Sequence, residues 1–154
     1  MVAANIDHRV GYLDDAALRR LQNAHQFHIC PSEAEGFGHY LMEALSVGAI
    51  TLATDGEPMN ELVRPEHGLL IPVATVRQRR LASYHYVDAA GIAQAVQAAL
   101  ALPPAELERL SAAARACYLA NDAVFAGRFR AAVMAAVAMP TEAVADVVPV
   151  AAKS

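Results

Sequence analysis

Residues 28–54 read HICPSEAEGFGHYLMEALSVGAITLAT, and their order of textures decides the fold. A short apolar run closes at Pro31, a Gly-Phe-Gly turn follows, and HYLMEALSVG has the apolar spacing of a helix. That helix stops at Gly48, a residue suited to the position after a helix C-terminus. AITLAT is a continuous apolar, β-branched run, the pattern of a strand covered on both faces. Strand, loop, helix and strand make a crossover unit, which predicts a parallel sheet with helices on both sides.

The flanks extend the pattern. Upstream, YLDDAALRRLQNAHQF predicts a helix capped by Asp14 or Asp15, with Leu18 and Leu21 inward and Arg19 and Arg20 outward. NIDHRV, residues 5–10, reads as a strand ended by Gly11. Downstream, Gly56 and Pro58 punctuate the end of AITLAT, PMNELVR begins a short helix, and HGLLIPV is a further short strand. ATVRQRRLASYHY lacks a clear period and is read as a loop. Three helices are then predicted, capped by Asp88, opened by Pro103 and Pro104, and started by Asn121. In the last of them Phe125, Phe129 and Val133 form one apolar stripe that must pack on the sheet or on a partner. The expectation is one domain over 1–138 and a flexible tail over 139–154.

Composition narrows the function classes. The 154 residues are 56% apolar and 18% charged with net charge -4, as expected of one globular domain. No basic stripe suits nucleic acid; Arg77, Arg79 and Arg80 read as a solvated loop. Cys30 and Cys117 have no metal-type spacing and are read as two buried free thiols, which fits a cytoplasmic location. The first ten residues lack the pattern of a secretory signal, and no run reaches the length of a membrane span. His25 and His28 straddle a helix-to-strand boundary without a third ligand nearby, so no metal is expected.

Glu35 and Glu43 carry the functional question. Ligands of open parallel sheets lie just outside the carboxyl ends of the strands, where the Ser32–Phe37 loop falls. A helix starting near Gly38 offers unpaired backbone N–H groups suited to phosphate, and Gly36 and Gly38 permit close backbone approach. Glu43 lies roughly 7 to 8 Å along the helix at 1.5 Å per residue. Two carboxylates accepting from sugar hydroxyls, with a diphosphate over the turn, would fit a nucleotide-sugar. The plain alternative is a solvated helix glutamate beside an ordinary glycine turn.

The run ICPSEAEGFGHYLMEALSVGAITLATDGEPMNELVRPEHGLLIPV resembles the C-terminal, donor-binding half of GT-B glycosyltransferases of the family 4 type. The matching pieces are Pro-Ser after a strand, Glu-Gly-Phe-Gly with a second Glu in an E-x7-E motif, Gly-Ala before an apolar strand, a Glu in the next turn, and a Gly-Leu-Leu strand. The resemblance covers roughly residues 5–102 and implies a three-layer Rossmann-like α/β fold, a partial GT-B half followed by C-terminal helices. It implies retaining transfer of a sugar from a nucleotide-diphospho-sugar to an acceptor that the sequence does not identify, without a metal or other cofactor. By position, Glu35 would be the catalytic-site residue on the transferred sugar, and Glu43 would hold the ribose hydroxyls. Backbone groups of Gly36, Phe37 and Gly38 would approach the sugar, those of Tyr40 and Leu41 the diphosphate, and Val10 the base. His39, just after the turn, either donates to a phosphate or sugar oxygen or simply begins the helix, and the turn's role favours contact.

Two departures are visible. The chain has no room for an acceptor half, and no Arg or Lys matches the pair that in the family meets the leaving diphosphate. Turnover is therefore expected to need a missing N-terminal half. The rival expectation is a non-catalytic interaction module that keeps the half fold and binds a second copy or a partner chain on its last helix. A flavodoxin-like or response-regulator domain ranks last, since no acidic cluster stands at an early strand end. Tyr84, His85 and Tyr86 either reach an acceptor or cover the sheet.

Overall fold

The computed structural model describes residues 4–138, and the chain divides into two compact units, Met1–Tyr118 and Leu119–Ser154. The expected tail at 139–154 lies outside the described residues. In the first unit the elements run α1 (Asp15–Asn23), β1 (Phe27–Cys30), α2 (His39–Ser46), β2 (Ile50–Thr54), α3 (Met59–Leu62), β3 (Gly68–Ile71), β4 (Thr75–Arg79), β5 (Ala82–Tyr86) and α4 (Ala89–Leu100). The last helix, α5, is Pro104–Ala138.

β1, β2 and β3 form a parallel sheet in that order, with Phe27 opposite Ile50 and Thr51 opposite Gly68. All five residues of β2 are buried, because the middle strand carries helices on both faces. Alternation along it decides which residue faces which layer. Ala53 packs with Cys30, Leu41, Met59 and Val63, the layer of α2 and α3, whereas Leu52 packs with Ile71, Ala95 and Ala99, the layer of α4. The three-layer Rossmann-like arrangement expected from AITLAT is therefore present.

The helix boundaries follow local chemistry. Asp14 accepts from Ala17 N at 2.7 Å and caps α1, and Asp88 accepts from Gly91 N at 2.7 Å and caps α4. Gly48 closes α2 at φ +70°, and its carbonyl accepts from Ser111 Oγ at 2.7 Å, which fixes the first turns of α5 to the end of α2. Leu110 and Ala114 on those turns are buried.

Four expectations are corrected. Residues 5–10 form no strand: Asn5, Asp7, His8 and Arg9 leave little to bury, Arg9 pairs with Asp7 in solvent at 2.7 Å, and Val10 is exposed. The stretch read as a loop after Pro72 is an antiparallel hairpin, β4 with β5, in which Arg79 pairs with Ala82. Its turn, Arg80–Leu81, holds Arg80 at φ 56° without Gly or Asn, so the usual short-hairpin signal is missing. The predicted break at Asn121 does not occur, because alanines on both sides, with no Gly or Pro between, carry α5 through it. Cys30 is buried as expected, but Cys117 is half-buried.

Within the second unit, the described residues continue α5 to Ala138. Phe125, Phe129 and Val133 do share one face, the two rings 5.9 Å apart, and all three are largely exposed.

Candidate functional site

The site grows from the carboxyl ends of β1 and β2. Thr54, the last residue of β2, is buried and donates Oγ1 to Ser32 O at 2.7 Å, tying the loop after β1 to the neighbouring strand. The hairpin fastens the same loop from the other side, since His85 N donates to Glu33 O at 2.7 Å. Held at both points, the loop places Ser32 Oγ 2.6 Å from Glu35 Oε1 as its donor and in contact with the Tyr40 hydroxyl.

Glu35 is half-buried and lines a cavity of about 600 Å³. The turn after β2 adds Asp55 and Glu57, α3 adds Glu61, and the hairpin adds Ser83 and His85. Asp55 is steadied by Asn60 Nδ2 at 3.1 Å. The Glu57–Pro58 peptide in this turn is cis.

Gly38 sits at φ +70° as the residue before α2, and a Cβ there would overlap the Leu62 side chain. Both the backbone conformation and the packing thus call for glycine. Nothing caps α2 through a side chain, and its first intrahelical bond is Met42 N to Gly38 O at 3.0 Å. The N–H groups of His39, Tyr40 and Leu41 consequently begin the helix without an intrahelical acceptor. Phe37 is exposed and stacks on the His39 ring with centroids 4.6 Å apart, while the Leu41 side chain is fully buried and contributes only backbone to the surface. Gly36 has no neighbour within 4 Å of where a Cβ would stand.

Burial and nearby charge act on two groups here. Burial first, then the charge of Glu35, pushes the Cys30 thiol up to about 12. Burial likewise raises Tyr40 above the ordinary phenol value, reinforced by Cys30 and Glu35. Both groups thus stay protonated at neutral pH, and the Tyr40 hydroxyl is available as a donor beside Glu35.

Glu43 lies on the exposed side of α2 and opens on a different cavity, of about 620 Å³, shared with Arg19, Gln22 and Arg115. Gln22 Nε2 donates to Glu43 Oε2 at 2.7 Å. The structure thus gathers Glu35, Gly36, Phe37, Gly38, His39, Tyr40 and Leu41 around one turn and sets Glu43 on a neighbouring surface. Sequence reasoning missed Asp55, Ser83 and Gln22, and left His85 open between reaching an acceptor and covering the sheet. Asp55 follows β2 as Ser32 follows β1, so the strand-end rule could have found it. The other residues depend on a hairpin and a helix pairing that no local pattern announces. His25 and His28 each bond backbone near the end of α1, to Leu21 O and Gln22 O. No group of three or more metal-type ligands occurs among the described residues. No helix among them is long and apolar enough to cross a membrane.

No curated protein matches the chain. Among solved structures it is similar to one described as "Crystal structure of GtfA/B complex", with 21% identity over 71% of this chain and a TM-score of 0.52. The match spans 20% of that chain, so this chain corresponds to about a fifth of its length, and the likeness is one of fold. The family model described as "Glycosyl transferases group 1" matches residues 8–116, from before α1 into α5 and across every site residue above. The chain belongs to the group 1 glycosyl transferases.

Proposed function

We propose that this chain is the donor-binding part of a retaining, family 4 type glycosyltransferase that uses a nucleotide-diphospho-sugar. The observation that carries the reading is Glu35, held by Ser32 over a cavity at the strand ends and next to the uncapped start of α2. A carboxylate so fixed accepts from sugar hydroxyls, and the adjacent N–H groups suit a diphosphate.

On this reading Glu35 holds the transferred sugar, with backbone of Gly36, Phe37 and Gly38 beside it. Tyr40 and Leu41 offer their N–H groups to the diphosphate, and His39 offers its ring. Glu43 keeps Oε1 for a ribose diol while Gln22 occupies Oε2. Transfer proceeds without a metal, in the cytoplasm, and requires both a second GT-B half that supplies the acceptor site and the earlier part of the donor half, which supplies the cations for the leaving diphosphate.

A second reading, a non-catalytic module with a second copy or partner chain on its last helix, has one observation in its favour. Phe125 and Phe129 are 50% and 61% exposed, with Val133 beside them.

Calorimetric titration with uridine, guanosine and adenosine diphosphates and their sugar esters tests the first reading. Saturable binding that Glu43→Gln weakens for every ribose-bearing ligand, and Glu35→Gln only for sugar esters, is expected. Equal losses on a bare diphosphate would overturn the assignment of roles. No binding by a folded chain would overturn donor binding by this unit and leave the interaction module.

A further inference from the structure

We infer that the Glu35 cavity selects an uncharged sugar and rejects uronic acids, and that His85 on the β4–β5 hairpin is the specificity-determining donor in it; this rests on the donor-binding reading. Four of the lining side chains, Glu35, Asp55, Glu57 and Glu61, are carboxylates, and no Lys or Arg lines the cavity. Ionised carboxylates only accept, so they suit a ligand that presents hydroxyl donors. A sugar carboxylate brought among them would lose water and gain like charges without a cation to pair with.

The hairpin contains arginines, and its register turns them elsewhere. Val76 pairs with His85 and Gln78 with Ser83, on the face that supplies Ser83 and His85 to the cavity. Arg77 and Arg79 alternate to the opposite face, where their guanidinium groups lie 5.4 Å from the Tyr86 ring and 5.9 Å from the Tyr84 ring. Stacked there, they bring no positive charge to the ligand.

His85 is fixed for the opposite duty. Its backbone N–H holds Glu33 O, and its ring lies so close on Gly56 that any Cβ at that position would overlap it. Nδ1 is sealed in this contact without a hydrogen-bond partner. A bare nitrogen is easier to leave orphaned than an N–H, so the ring proton is assigned to Nε2. That nitrogen then donates to a sugar oxygen, while the carboxylates accept from the neighbouring hydroxyls.

The test is titration of the chain with UDP, UDP-glucose and UDP-glucuronate, and with GDP, GDP-mannose and GDP-mannuronate. For whichever base binds, the neutral ester should bind at least roughly ten-fold more tightly than its uronate. Glu61→Gln, at an exposed position of α3, should narrow that gap while leaving the bare diphosphate unchanged. His85→Ala should weaken the neutral ester about five-fold without changing the bare diphosphate, as loss of one hydrogen bond implies. Ser83→Ala, at an exposed position, gives a smaller loss of the same kind and guards against misfolding of the His85 variant. Uronate binding equal to or tighter than that of the neutral ester, or a sugar ester no different from the bare diphosphate, would overturn the inference alone. Failure of every diphosphate to bind would overturn the donor-site reading, and the inference with it.

Discussion

Gln22 on α1 donates through Nε2 to Glu43 Oε2 on α2 at 2.7 Å, across 21 residues of sequence. The bond orients a carboxylate that would otherwise sample several rotamers in solvent. Replacing Gln22 by Ala should leave Glu43 chemically intact but unfixed. A loss of about three- to ten-fold in nucleoside diphosphate affinity is expected, the worth of one hydrogen bond, and calorimetry reads it directly. Wild-type affinity in Gln22→Ala would detach Glu43 from the ligand.

Gly38→Ala tests the turn. At φ +70°, with Leu62 where a Cβ would stand, alanine suffers both backbone strain and overpacking. The fold should lose about 2–4 kcal/mol, measured by urea unfolding. Gly36→Ala, in open surroundings, should cost far less stability.

His67 gives the fold a pH dependence. Its ring is buried with Nδ1 unpartnered, and burial, aided by Arg64, lowers its pKa below the ordinary 6.5, with Glu66 opposing. A depressed folded pKa means that the unfolded chain binds the proton first, so the stability due to His67 is full above about pH 6.5 and is lost as pH falls through the folded value. Thermal melts should show this decline in the wild type and a shallower one in His67→Leu.

The two cysteines should differ in reactivity. Cys30 is buried with its thiol pushed up to about 12 from 9.0, whereas Cys117 is half-buried. Iodoacetamide at pH 8 should label Cys117 first and leave Cys30 unmodified until unfolding, as mass spectrometry of digests would show. The same shift works against stability in alkali. Between about pH 9 and 12 the unfolded thiol loses its proton while the folded one keeps it, so stability falls with rising pH.

The parts of this fold legible in the sequence are those in which one residue type has one use. AITLAT could only be a strand covered on both faces, Asp14 and Asp88 cap where they stand, and Gly48 ends its helix. What escaped depends on partners remote in sequence. The hairpin turns at Arg80–Leu81, residues with no turn preference, and is pinned by Glu33, some fifty residues earlier, through the amide of His85. NIDHRV failed the other way: its β-branched residues suggested a strand, but no strand among the described residues pairs with it. At the site, the motif pointed to Glu35 and Glu43. The wall opposite Glu35 comes from the undetected hairpin, so the cavity itself could not be foreseen.

Among the described residues, the three-stranded sheet ends on β1 and β3, each only four residues long. An unpaired strand edge is a template for a stray chain, and proteins without a covering element blunt the hazard by keeping such edges brief. Here an incoming strand would gain few backbone bonds along Phe27–Cys30 or Gly68–Ile71 before running into a turn. Within the described sheet, the brevity of these two strands thus leaves an edge-seeking chain little to hold.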